Sequence, residues 1–198
     1  PVFMPCGTQA TVKSLTPQDL KEIGIQILLG NTYHLYLRPG KKLIKNFGGL
    51  HKFMQWDGPI LTDSGGYQVS FLRTTQKDKD TETGEIVKIT DEGATFRSYV
   101  DGSKQLITPE RSMEIQSVLN ADIIMAFDQP LGKDYTEKKI KEAFNRTLLW
   151  EERSFAHWGK IQIQRQKQHK GYQALYGIVQ GGTDKNLRRE SLEFILKK

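Results

Sequence analysis

The sequence predicts an α/β fold, part of a (β/α)8 barrel of parallel strands carrying a small antiparallel β excursion. Three observations predict it. Short apolar runs alternate with amphipathic helical segments, the pattern of repeated βα units. Three of those runs stop at a polar side chain, which gives Asp63, Asp128 and Gln180 equivalent places at strand C-terminal ends, the functional face of parallel α/β folds. No G-x-G-x-x-G phosphate turn follows the first strand, so a barrel is preferred to an open dinucleotide-binding sheet, and 198 residues fall short of the roughly 250 of a whole barrel.

Each element has its own signal. Thr16-Pro17 reads as an N-cap and first helical residue, with Gly24 ending a short helix. Ile25 to Leu29 is an apolar strand that stops at Gly30-Asn31-Thr32, and Pro39 to Asn46 reads as a helix closed by Gly48 and Gly49. Ile60 to Thr62 is the next strand. It meets a carboxylate, a hydroxyl and two glycines at Asp63-Ser-Gly-Gly66, a junction that displays an acid beside backbone a ligand can approach closely. Segments 68–72, 86–90 and 94–100 are expected to pair as the antiparallel excursion, inserted at about 73–105.

Thr108-Pro109-Glu110 opens a helix with Met113, Ile115 and Leu119 on its apolar face, and Asn120 closes it. Asp122 to Phe127 is a buried strand ending at Asp128. Thr136 starts a long helix with Ile140, Ala143, Phe144, Leu148 and Phe155 at helical spacing, while the tract from Gln162 to Lys170 is too polar for a core. Ala174 to Val179 forms a strand ending at Gln180-Gly181-Gly182, and a final helix runs from Thr183 to the end of the chain.

Composition narrows the function. With 37% hydrophobic and 26% charged residues, no run approaches the roughly 18 apolar residues of a membrane span, and no signal-peptide pattern opens the chain, so a cytoplasmic address is expected. The single Cys6 excludes an internal disulfide framework, and with four scattered histidines it excludes a cysteine-rich zinc site. The chain opens at Pro1 without an initiator Met, so an excised or processed piece is expected. The net charge of +6 is uneven: residues 133–198 hold 15 Lys/Arg against 8 Asp/Glu, and residues 1–132 hold 14 against 15. That basic third suits either a polyanion such as nucleic acid or an ordinary solvated helix face.

Read by residue type alone, the candidates have structural rivals. Asp63 before Ser-Gly-Gly also suits a helix cap or turn, Asp128 before Gln129-Pro130 also suits a turn, Gln180 also suits an exposed loop, and Tyr67 also suits core packing.

An ordered set of motifs resolves the ambiguity. Met4-Pro-Cys-Gly-Thr-Gln-Ala-Thr-Val-Lys13, Leu29-Gly-Asn-Thr-Tyr-His-Leu35, Leu61-Thr-Asp-Ser-Gly-Gly-Tyr-Gln68, Tyr99-Val-Asp-Gly102, Ala121-Asp-Ile-Ile-Met-Ala-Phe-Asp128 and Gly177-Ile-Val-Gln-Gly-Gly182 together resemble the tRNA-guanine transglycosylases over nearly the whole chain. The resemblance implies a barrel enzyme that exchanges the wobble guanine of tRNAs with G-U-N anticodons for a 7-deazaguanine base. It proceeds through a covalent ribosyl-enzyme intermediate formed by an aspartate, with a second carboxylate moving protons, as in a retaining glycosidase. The base leaves the stack to be read in a pocket.

By motif, Asp63 matches the proton-handling acid; Ser64, Gly65 and Gly66 line the pocket and Tyr67 offers a stacking face. Asp128 matches the acceptor of the N–H edge of the base, Gln180 the amide that bonds its carbonyl and ring nitrogen, and Gly181 and Gly182 permit close approach. Lys13, His34 and Leu35 match a homodimer contact, and His34 is expected to be neither catalytic nor a metal ligand. The nucleophilic aspartate and a structural zinc with Cys/Cys/Cys/His ligands are expected beyond Lys198, so the isolated piece is expected to be inactive and prone to associate through its open sheet edge.

Two departures stand out. Phe127-Asp-Gln-Pro130 replaces the usual bacterial Phe-Asp-Glu-Cys, and Gln68-Val-Ser-Phe-Leu72 exchanges the usual Phe-Ser order, which on a strand would move a side chain to the opposite face. The wording of Ala10-Thr-Val-Lys13 and Met125-Ala-Phe-Asp128 is bacterial and implies a 7-aminomethyl-7-deazaguanine substrate. The alternatives are an archaeosine-type enzyme, a noncatalytic tRNA-binding subunit and an unrelated metabolic barrel.

Overall fold

The computed structural model describes residues 2–71, 87–132 and 135–198. In chain order the elements are α1 (Pro17–Glu22), β1 (Leu28–Gly30), α2 (Thr32–Leu35), a wide helical turn (Tyr36–Gly40), α3 (Lys41–Asn46), α4 (Leu50–Met54), β2 (Ile60–Thr62) and α5 (Gly66–Phe71). They continue with β3 (Val87–Ile89), β4 (Ala94–Arg97), β5 (Lys104–Ile107), α6 (Pro109–Leu119), β6 (Ile123–Met125), α7 (Glu137–Lys167), β7 (Ala174–Tyr176) and α8 (Lys185–Leu196).

Two sheets organise these elements. A parallel sheet runs β1-β2-β6-β7, extended beyond β1 by a bridge between Cys6 and Leu29, and an antiparallel sheet runs β3-β4-β5. The parallel pairing sets Gly30 beside Thr62, Thr62 beside Ile124 and Met125 beside Tyr176. The next few residues of β2, β6 and β7 therefore emerge at one end of the sheet, where Asp63, Asp128 and Gln180 lie.

The apolar residues of the parallel strands pack one core. Leu28, Ile60 and Ile124 meet Leu35, Ile44, Leu50, Met113, Ile115, Leu119 and Ile161, all buried. A second cluster joins the antiparallel sheet to the strand ends, with Tyr33, Val69, Val87, Phe96, Ile107, Phe127 and Trp150 buried together and Phe127 stacked on Trp150 at 4.7 Å between centroids. Arg153 forks onto both oxygens of Glu110 at 2.8 Å, joining α7 to the first turn of α6. Burial opposes the Glu110 charge, yet this guanidinium fork holds the carboxyl down at about 2.

Several expectations need correction. Segment 68–72 was expected as a strand, but Gly66–Phe71 is helix α5; its alternating apolar residues are helical because Ser64 Oγ accepts the Gly66 N–H at 3.0 Å and starts a turn. The Phe-Ser exchange therefore acts on a helix, where Val69 and Ser70 are buried and the Phe71 ring meets Tyr67 at 4.6 Å. The excursion holds β3, β4 and a third strand, β5, that sequence reading missed; residues 72–86, where it was expected to begin, lie outside those described. Pro39 sits in the wide turn, and helix α3 starts at Lys41. The polar tract after Gln162 continues α7 to Lys167, and Arg165 within it is buried, donating to Gly171 O, Ser117 O and Asn120 Oδ1 and so closing the C-terminus of α6.

β7 stops at Tyr176, three residues before the expected Val179, because the following N–H groups bond helix side chains instead of sheet. The same device recurs across the sheet. Gln116 on α6 is fully buried and uses its whole amide: Oε1 accepts from Met125 N at 2.9 Å and Thr62 Oγ at 3.0 Å, and Nε2 donates to Met125 O at 2.9 Å and Ser112 Oγ at 3.1 Å. Replacing it as Gln116→Leu leaves buried backbone groups of β6 unmatched, and urea unfolding should show a loss of about 2–4 kcal/mol.

Candidate functional site

The site is assembled from the residues just past β2, β6 and β7. The half-buried Asp63 carboxylate accepts four hydrogen bonds: Thr32 N at 2.8 Å and Gly65 N at 3.2 Å on Oδ1, Asn31 Nδ2 at 2.8 Å and Gln68 Nε2 at 3.0 Å on Oδ2. It thereby caps α2 and fixes the turn into α5, so the capping reading holds for Asp63 as a structural role. Asn31 and Gln68, which orient it, were not singled out by sequence reading.

Asp128 is 5% exposed and held on both oxygens. Ser64 Oγ donates to Oδ1 at 3.0 Å and Gln180 Nε2 donates to Oδ2 at 2.8 Å, so residues from three strand ends meet on one carboxyl. Burial pushes this carboxyl above the usual range; the bonds from Gln180 and Ser64 pull it down, and Asp63 nearby adds to the rise. Gly66 makes the meeting sterically possible. A Cβ there would lie 2.2 Å from Asp128 O and 2.9 Å from its Oδ1. Gly181, with φ of +121°, passes close to α8, where a Cβ would meet Arg188 N at 2.7 Å.

Tyr67 is 64% exposed beside this group, so it is not a core residue. Gln129, next to Asp128, is buried and turned to Arg146, whose guanidinium donates to its Oε1 at 2.7 Å. Of the residues expected at a subunit contact, Lys13 is exposed and His34 partly so, with its ring 3.5 Å from Tyr99 Oη. Leu35 is fully buried in the main core and has no surface to offer a partner. Among the described residues no three His, Cys, Asp or Glu side chains gather around a metal position, and Cys6 is exposed by itself, so these residues do not fit a zinc site.

Comparison with known proteins is decisive at the level of family. The family profile described as Queuine tRNA-ribosyltransferase matches residues 1–198. The chain belongs to the queuine tRNA-ribosyltransferase family. The queuine tRNA-ribosyltransferase of Caldanaerobacter subterraneus subsp. tengcongensis is 53% identical over 197 residues, covering 98% of this chain and 46% of that protein. That of Acinetobacter baylyi is 48% identical over 197 residues, covering 100% of this chain and 46% of that protein. The chain thus spans about half the length of the curated relatives it matches.

In this member of the queuine tRNA-ribosyltransferase family, α7 supplies a buried polar stripe behind the site. Thr147 Oγ accepts from Gln129 N at 3.1 Å, Ser154 Oγ accepts from Phe127 N at 3.1 Å, and Glu151 Oε1 accepts from Ile178 N at 2.6 Å. The spacing of four and three residues puts all of them on one helix face. Glu151 escaped sequence reading because it lies in a charged stretch. The signal that finds it is its register with Thr147, Trp150 and Ser154.

Burial pushes the Glu151 carboxyl up to about 7 against the pull of the Ile178 N–H, with Asp128 adding to the rise. The stability Glu151 contributes is therefore complete below its ordinary 4.5 and is lost as pH rises through about 7. Between about pH 5 and about pH 8.5, urea unfolding should show wild type losing on the order of 2–3 kcal/mol relative to Glu151→Gln, which does not titrate. For Gly66→Ala, the contact with Asp128 backbone should lower stability by about 2–3 kcal/mol in the same assay.

Proposed function

We propose that residues 1–198 are the N-terminal part of the single catalytic barrel domain of a bacterial-type tRNA-guanine transglycosylase. The enzyme exchanges the wobble guanine of tRNAs with G-U-N anticodons for a 7-deazaguanine, 7-aminomethyl-7-deazaguanine by the bacterial wording of its motifs, in queuosine biosynthesis. Family membership supports the reaction class. The observation that carries the residue roles is the Asp128 carboxyl shared by Ser64 and Gln180, beside Asp63, at one end of a parallel sheet.

A purine edge presents N–H donors next to a carbonyl. Asp128 accepts the former and the Gln180 amide bonds the latter and a ring nitrogen, exchanging their present mutual bond for bonds to the base at little net cost. Ser64, Gly65 and Gly66 form the wall, Gly181 and Gly182 admit the ring, and the exposed Tyr67 ring provides a stacking face. The nucleophilic aspartate belongs to the part of the enzyme beyond Lys198. Its carboxylate attacks the ribose anomeric carbon as the bond to guanine breaks; Asp63 passes a proton to the departing base and takes one from the incoming base, whose nitrogen then displaces the carboxylate.

The free edge of β7 pairs with the next barrel strand, the zinc ligands lie outside this chain, and the metal takes no part in the steps above. The intact enzyme is a cytoplasmic homodimer with Lys13 and His34 near the contact. No helix among the described residues is long and apolar enough to cross a membrane.

In the full-length enzyme, Asp63→Asn should lower incorporation of labelled guanine into tRNA by about 10²-fold or more. Near-normal turnover would remove Asp63 from proton transfer. The 198-residue chain alone should give no incorporation.

A further inference from the structure

Glu151 is the one acid of the described core that the proposed chemistry does not use. It is 4% exposed, and its Oε2 is buried with no hydrogen-bond partner among the described residues. Lys198 lines the same small cavity with Ala126, Phe155 and Gly177, but its ammonium pairs with Glu152. An apolar side chain would fill this place without the penalty of burying an unpaired carboxyl. What the carboxyl supplies is an acceptor for the Ile178 N–H, at 2.6 Å.

That bond falls at a sensitive point. Past Tyr176 the chain has left the sheet, and the segment leading to Gln180 is held by two N–H bonds: Ile178 N to Glu151 on α7 and Gln180 N to Ser191 Oγ on α8, at 3.1 Å. Asp128 is fastened to the same face of α7 through its neighbours Phe127 and Gln129. Both halves of the Asp128–Gln180 pair are thus referenced to one helix.

We propose that Glu151 is a positioning residue for base recognition, which keeps the Gln180 side chain in register with Asp128 by holding the Ile178 N–H. The proposal rests on the reading of Asp128 and Gln180 as the groups that bind the base. Glu151 touches no substrate; it acts through the backbone between Ile178 and Gln180. Releasing it lets the Gln180 arm drift, which weakens recognition of the base and leaves the proton-handling Asp63 as it was.

The test uses the full-length enzyme, with labelled guanine varied at saturating tRNA. Glu151→Ala should raise the KM for guanine about tenfold with kcat within about threefold, and Glu151→Gln, which keeps an acceptor oxygen, should restore KM to within about twofold of wild type. Amide exchange at Ile178 should speed up in Glu151→Ala and stay protected in Glu151→Gln. Gln180→Ala is measured alongside. If Gln180→Ala raises KM while Glu151→Ala does not, or if Glu151→Gln fails to rescue, the positioning role is overturned and the pocket reading stands. A kcat loss without a KM change in Glu151→Ala also overturns it. If Gln180→Ala leaves KM unchanged, the pocket reading fails and takes this proposal with it.

Discussion

Strands of three residues leave polar backbone at their ends that no neighbouring strand reaches, and in a buried setting each unmatched group costs about 1–3 kcal/mol. Here helix side chains meet that demand. Ser112 donates to Ser64 O at 2.7 Å, Gln116 brackets Met125, and Thr147, Glu151, Ser154 and Ser191 accept N–H groups from the segments beyond β6 and β7. Buried hydroxyls and amides on these helices would be a liability elsewhere. In this fold they are what allows the strands to be short and their C-terminal ends to converge.

The same economy explains why Asp63 resists a single label. Its carboxylate accepts the first free N–H of α2 and the turn N–H of Gly65, both structural duties, while Asn31 and Gln68 hold its second oxygen. An acid fixed this firmly loses little orientational freedom when it acts, which is the ordinary requirement of a proton-transfer group. On the proposed reading, structural and chemical roles coincide in one set of bonds, so loss of activity on substitution has to be separated from loss of the α2 and α5 junction by measuring stability too.

Much of this was legible in the sequence, and unevenly so. The polar stops after β2, β6 and β7 were plain because apolar runs end abruptly there, and α6 was plain because Thr108, Pro109 and Asn120 mark its ends. Helices α2 and α4, with four and five residues, are too short to display a helical period. Lys104–Ile107 carries no alternation to betray β5, and Val69 to Phe71 mimicked a strand in a segment whose first turn is set by a serine hydroxyl. Ser64 was expected at the pocket from its motif, but its bond to Asp128 was not legible, because it joins residues 64 positions apart. Glu151 stayed hidden because it lies in a charged stretch of α7.

The stripe on α7 makes two loops answer to the rotation of a single helix. Turning that helix by one residue, about 100° of arc, would carry Thr147, Glu151 and Ser154 away from their partners together. The Asp128–Gln180 pair is therefore geared to contacts far along α7, such as the burial of Arg165 against the end of α6, about three turns or more from Asp128's anchors.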